Sequence, residues 1–483
     1  MRVARRSLGV AALGLTAACS TTTEANPQPV ERLRILANPA VTDTIEATPL
    51  QSVVVELRDN TGGPIQGAVV RFSAQLTTPP QGAPTMLVST EAGITWDLSV
   101  SDTTDARGRA AARVRLGSIA GPGGVDFVAV GSDLAGSLSF TIAAGNAAEL
   151  RLSRGDTAVV AGTLVEVAGH VFDRAGNPRP EIPTFSARSE PADAGSITPS
   201  GSVTAAGPFG NVHVSARAGT LVDSLTVGIF PHGTLVGRDD IHSSLVTIDT
   251  DGSNRRVLSP PGAFIPTDVE PAWSPDGREV AFGSELTILI ASLTGEIRSL
   301  FVTPQPNILT ARWPAYSPDG RWIYYSGQAI DGSGTSLYRI RPDGTAPSRL
   351  TDSVSATRPS PSPDGRSIAF QGGDATVRVL DLTLGALTSV RVPGIFPEWS
   401  PRGNRIAYYD YYGSAFRSMR ADGSDIRTIR VAGSSHPMTW SPDGDLLLVQ
   451  SYFVFRLVQP ETGISVPIPA TAGLSNLAWK PTP

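Results

Sequence analysis

The chain of 483 residues is short of several things, and each shortage closes off a class of protein. It has one cysteine, Cys19, so a framework of paired disulfides is excluded. Charged residues make up 17% and the net charge is −5. That leaves no basic stripe to neutralise phosphates, so nucleic acid is not an expected partner. No long helical periodicity follows residue 18. The patterns G-x-S-x-G, H-E-x-x-H and G-x-x-x-x-G-K-[ST] are all missing, which removes the commonest hydrolase, zinc-peptidase and nucleotide-binding signatures. Five histidines stand at spacings that form no ligand pattern, so no metal or other cofactor is expected. Glycine (49) and proline (40) are plentiful, and turns fall between short runs of Val, Leu and Ile. This reads as an all-β chain whose 40% of hydrophobic residues can fill real cores, divided into about three domains.

The N-terminus carries Arg2, Arg5 and Arg6 and then the apolar run "LGVAALGLTAA". A positive start and a short apolar stretch ending in small residues make a secretory signal, too short for the roughly 20 residues of a bilayer span. "LTAACS" resembles the bacterial lipobox, with Thr16 where an aliphatic residue is more usual. The resemblance implies a lipoprotein signal peptide over 1–18, lipidation of Cys19, and, with Ser20 following, anchoring at the outer membrane, toward periplasm or cell surface. An ordinary cleavable signal with an incidental cysteine is the alternative. Residues 19–31 are polar and Pro-containing and read as a flexible tether.

Two segments then repeat one design. "VVVELRDNTGGPIQGAVVRFSA" and "LVEVAGHVFDRAGNPRPEIPTFSA" each run an alternating strand into a Gly/Pro turn and out along a second strand. Asp59, Gly62 and Pro64 match Asp173, Gly176 and Pro178 at identical spacing, and Phe72 matches Phe185 within one residue. Val53, Val55 and Leu57 are expected to face one way. Strands at this spacing suggest β-sandwiches. The pattern resembles the bacterial immunoglobulin-like domains of invasin/intimin type, which implies two Ig-like domains, 32–145 and 146–231, serving as spacers or adhesive modules. Glu181 and Ile182 replace the usual Gly-Ala in the second. His170 and His213 fall within its strand patterns.

From residue 232 to 483 one phrase returns: "PAWSPDGREVAFGS", "PAYSPDGRWIYYSG", "PSPSPDGRSIAFQG", "PEWSPRGNRIAYYD" and "MTWSPDGDLLLVQS". Ser-Pro-Asp-Gly makes a tight turn: Pro presets φ, Asp bonds nearby amides and Gly accepts positive φ. A second hairpin recurs as well: "SLVTIDTDGSNRRVL", "SLYRIRPDGTAPSRL" and "AFRSMRADGSDIRTI" align without gaps, and "DTDG" in the first reads as a turn rather than a calcium loop. Residues before Ser-Pro, with Trp479 in "LAWKPTP", stand 38–45 residues apart. A period near 40 with four strands per unit signals a β-propeller. Residues near 233 lack a first strand, so the C-terminal "LAWKPTP" is expected to supply it and close six blades. The motif resembles the TolB-type propeller, with Pro361 in place of an aromatic residue and Arg402 in place of Asp. The WD40 signature of Gly-His and Trp-Asp is absent.

The residues leading into the first strands are Glu270, Trp313, Arg358, Phe396, His436 and Asn476. They are expected to ring the channel mouth, with Tyr411 and Tyr412 on a nearby loop, and to bind a protein, peptide or glycan partner. TolB's use of this region to hold a disordered peptide is what the resemblance implies. The expected protein is therefore a monomeric, non-enzymatic envelope lipoprotein. The alternatives are a metal-dependent lyase or hydrolase, for which Asp239, Asp240, His242 and His436 are the candidate ligands, and a purely adhesive Ig-like surface protein.

Overall fold

The computed structural model describes residues 32–37, 42–49, 51–76, 86–259, 265–284, 287–300, 308–330, 332, 334–352, 355–431, 438–451 and 454–482. They fall into two compact units, 1–147 with 173–178, and 148–172 with 179–483. The signal, Cys19 and the tether lie outside the described residues. None of the described helices is long and apolar enough to cross a membrane.

In the first unit two sheets share one core. One sheet orders Leu33–Ala37, Val53–Leu57, Arg109–Leu116 and Met86–Ser89; the other orders Thr42–Thr44, Ala135–Ala143, Gly121–Ala129, Val69–Ala74 and Ser99–Thr103. Alternation decides what goes inside. Val53, Val55 and Leu57 from one sheet meet Val70, Phe72, Val125, Phe127 and Phe140 from the other, all buried. The repeated turn is the same in both copies. Gly62 N–H donates to Asp59 O and Gly176 N–H to Asp173 O, each at 3.0 Å, and the two glycines take φ of 85° and 86°.

The second unit opens with a four-stranded sheet, Thr157–Val160, Leu221–Phe230, Gly210–Ala218 and Thr184–Glu190, facing a three-stranded one, Leu164–Glu166, Ser202–Thr204 and Ser196–Ile197. Their core holds Val165, Val203, Val212, Val214, Val227 and Ile229. Among the described residues six four-stranded antiparallel sheets follow. Their inner strands are Leu474–Trp479, Ala272–Trp273, Ile308–Tyr316, Ala356–Pro361, Ile395–Trp399 and Met438–Trp440. Each inner strand lies beside the next, and the last returns to the first, so the sheets form a closed ring. Closure comes from the chain's far end: Leu235 pairs with Trp479 and Val236 with Ala478. The closing pair joins the two ends of the ring within one sheet, and the outermost strand of each sheet remains as a short edge.

The recurring phrase is the turn leaving the five inner strands other than Leu474–Trp479. In four copies the Ser Oγ donates to the Asp carboxylate at 2.5–2.6 Å and accepts the amide five residues on at 2.9 Å. The glycines Gly277, Gly320, Gly365, Gly403 and Gly444 all sit at φ of 65–72°, the left-handed region that a Cβ disfavours. Arg402, the departure from Asp, reaches the neighbouring turn instead, donating to Asp443 O at 2.7 Å and pairing with Asp445.

Candidate functional site

The inner strands converge on the axis of the ring, and irregularities in them aim side chains inward. The pairing register slips between Arg312 and Ala315, between Thr357 and Ser360, and between Ile395 and Glu398. Within or beside these bulges Trp313, Arg358 and Phe396 adopt φ of 51°, 53° and 54°; Asn476 takes 54° on the closing strand. A left-handed non-glycine residue costs about 1–3 kcal/mol and persists only where its surroundings over-determine it. Bulges also re-aim side chains. Here four such residues, with Glu270, line one axial cavity of ≈ 390 Å³. Its walls include Trp273, Tyr316, Trp399 and Trp479, and prolines from the recurring turns, among them Pro275, Pro318, Pro363 and Pro401.

Arg358 organises one side. Its guanidinium carbon lies 4.3 Å from the Trp313 ring centroid and 4.2 Å from that of Phe396. Its Nε donates to Glu270 Oε1 at 2.7 Å, and the two side chains are only 17% and 26% exposed. Stacking on two aromatic faces plus a carboxylate suits a planar, delocalised cation and would suit lysine poorly. Burial pushes the Glu270 carboxyl upward, and the charge of Arg358 opposes that. The supporting bonds come from the segment before Glu270: Trp313 Nε1 donates to Asp268 O at 3.2 Å, Arg312 pairs with Asp268 at 2.7 Å, and Asn476 Nδ2 donates to Thr267 O at 2.7 Å.

A second acid, Glu398, lines the same cavity and was not among the residues expected from sequence. Burial, then the charge of Glu270, pushes its carboxyl up to about 8, while a hydrogen bond with Ser360 acts the other way. A signal was present. Residues just before the inner-strand aromatics are Ala272, Ala315, Thr439 and Ala478, with Ser360 at the fourth sheet, so the acid in "PEWSP" breaks a run of small side chains.

The other expected site residues lie elsewhere. Tyr411 and Tyr412 stack edge to face with each other on an exposed turn, 61% and 76% exposed, and do not line the cavity. His436 lies outside the described residues. Asp239 is occupied: its carboxylate accepts His242 Nδ1 at 2.7 Å and the amides of Ile241 and His242, and pairs with Arg255. Asp240 pairs with Arg238 and accepts the Ser475 hydroxyl. Among the described residues, the grouping with ligand atoms within 4.8 Å of one another is a different one, His232, Asp249 and Asp251. Asp249 is already held by Thr234 and Asn254 in the hairpin turn of "DTDG".

No curated protein matches the chain. Among solved structures it is similar to TolB from Acinetobacter baumannii, with 14% identity and a TM-score of 0.43 over 69% of this chain and 100% of that one. A putative TolB from Agrobacterium tumefaciens shows 18% identity and a TM-score of 0.39 over 52% and 99%. An oligogalacturonate lyase in complex with manganese shows 15% identity and a TM-score of 0.32 over 49% and 72%. Over residues 236–482 the sequence matches the model of the TolB beta propeller domain, and the chain belongs to that family.

Proposed function

We propose that this is an exported envelope protein whose six-bladed propeller binds a peptide segment of a protein partner, without catalysis, at the axial mouth built by Glu270, Trp313, Arg358, Phe396 and Asn476. The two sandwiches act as Ig-like spacers, and Cys19 carries the lipid that tethers the chain to the outer membrane. The observation that carries this reading is the set of strained, inward-aimed side chains: four residues held at φ of 51–54° around one cavity. Residues in such conformations cluster at active sites and ligand clamps. The cavity offers apolar walls with a few convergent polar groups, the usual character of a recognition pocket.

The test uses the full chain immobilised against solubilised envelope extract, compared with the triple variant Trp313→Ala/Arg358→Ala/Phe396→Ala. A protein captured by the unmodified chain and lost by the variant supports the site. An unchanged set of captured proteins, with the variant's melting profile intact, refutes it. Mass spectrometry of the mature N-terminus tests the anchor, since an unacylated Cys19 or cleavage elsewhere removes that part of the reading.

A further inference from the structure

The two carboxyls of the axial cavity are treated differently. Glu270 has its cation, Arg358, at 2.7 Å. Glu398 has none among the described residues. The groups bearing on it are the Ser360 hydroxyl from the preceding sheet and the Glu270 carboxylate, with Arg358 and Asp268 beyond Glu270. Met438 and Thr439, from the following sheet, line the cavity and are neutral. An acid is thus retained in a largely aromatic and proline-walled space with no partner of opposite charge among the described residues.

The chain itself shows what this space accepts. It fills one position with a guanidinium flanked by two rings and a carboxylate. We propose that the second position, at Glu398, receives an organic cation, a side-chain ammonium of the protein partner, held between the Glu398 carboxylate and the aromatic wall. This rests on the binding role proposed above and specifies its chemistry. A metal ion fits less well. Calcium takes six to eight oxygens and magnesium demands six in near-octahedral order, whereas the cavity's two carboxyls, one already engaged, are joined only by the neutral side chains of Ser317, Ser360, Thr439 and Asn476 among rings and prolines. Aromatic faces attract desolvated ammonium groups.

Binding is coupled to proton release. Glu398 enters as the neutral acid below pH 8, and its proton passes to solvent as the ammonium is bound by the carboxylate. Affinity should therefore rise about 25-fold from pH 6.5 to 8.5, from one proton released below a pKa of about 8.

The probe is n-butylammonium chloride, titrated into the full chain while following tryptophan fluorescence, since Trp273, Trp313, Trp399 and Trp479 line the cavity. Saturable quenching that strengthens with pH as stated, and falls at least tenfold in Glu398→Gln, supports the proposal. Three results overturn it: no saturable response at either pH, an equal response to n-butanol, or a Glu398-dependent response to calcium chloride alone. The pH series on the unmodified chain decides the matter even where Glu398→Gln folds poorly, because a pH-independent response also overturns it. Loss of partner capture in the triple variant with no butylammonium binding would remove this inference and keep the binding role; the converse would remove the role alone.

Discussion

Replacing Trp479 tests how the ring is locked. This side chain is 8% exposed and packs with Leu235, Leu477 and Leu446 where the C-terminal strand meets the strand Thr234–Asp239. A large aromatic buries about 150–250 Å², worth about 4–6 kcal/mol at about 25 cal/mol/Å² as an upper bound. Measured Trp→Ala losses of about 3–5 kcal/mol set the expectation for Trp479→Ala. Gly233 gives a second handle. A Cβ there would lie 2.5 Å from Trp479 Nε1 and 2.8 Å from two ring carbons, closer than real contacts allow. Gly233→Ala alone should therefore cost about 1–3 kcal/mol by overpacking. In the Trp479→Ala background the obstructing ring is gone, and the same change should cost almost nothing. The assay is urea unfolding of the full chain by far-ultraviolet circular dichroism, run as a double-mutant cycle with coupling of about 1–3 kcal/mol expected. Additive costs, or a Trp479→Ala loss under about 1 kcal/mol, would refute the reasoning, because either would mean that the tail is not the closing element.

Three further outcomes follow from particular contacts. Glu398 has a folded value of about 8 against an ordinary 4.5, so the folded state holds the extra proton between those values and its stability falls as pH rises through that window. Glu398→Gln should thus melt higher than the unmodified chain at pH 8.5 and equally at pH 4.5; calorimetry showing no pH-dependent gap would contradict the burial assigned to this acid. Gly320→Ala meets nothing nearer than 3.9 Å but must hold φ near 67°, so it should cost about 1–2 kcal/mol through the backbone alone. Phe396→Gly should be more stable than Phe396→Ala by about 1 kcal/mol in urea, reversing the usual order, because position 396 sits at φ 54°.

Much of the ring was legible because its turns are written in residues with strong local rules. Each Ser-Pro-Asp-Gly marks the exit from an inner strand, and the missing first strand near Gly233 pointed to the tail that pairs there. The axial positions of Glu270, Trp313, Arg358, Phe396 and Asn476 followed from counting along that frame. What the frame could not give was relation across sheets. Arg358 and Glu270 are 88 positions apart, and nothing local couples them. Glu398 lies beyond the residues that lead into the strand, and it lines the cavity as well because the register slips between Ile395 and Glu398. The candidate ligands Asp239, Asp240 and His242 show the same limit: their neighbourhood could be read along the chain, but the pairing of Arg255 with Asp239 across the hairpin could not.

The place where the chain enters the ring is also the place where the ring is fastened. The sandwich strand Leu221–Phe230 runs almost directly into Thr234–Asp239, the strand that receives the tail. Phe209, Phe230 and Val160 of the sandwich share one hydrophobic cluster with Val466 and Ile468 of the sixth sheet and with Trp479. Tension drawn along the polypeptide from its N-terminal side would arrive at this clasp, where the sandwich acts as a buttress. Mechanical failure should then begin with release of the tail rather than with opening of any other sheet, making the seam the fuse of the whole ring.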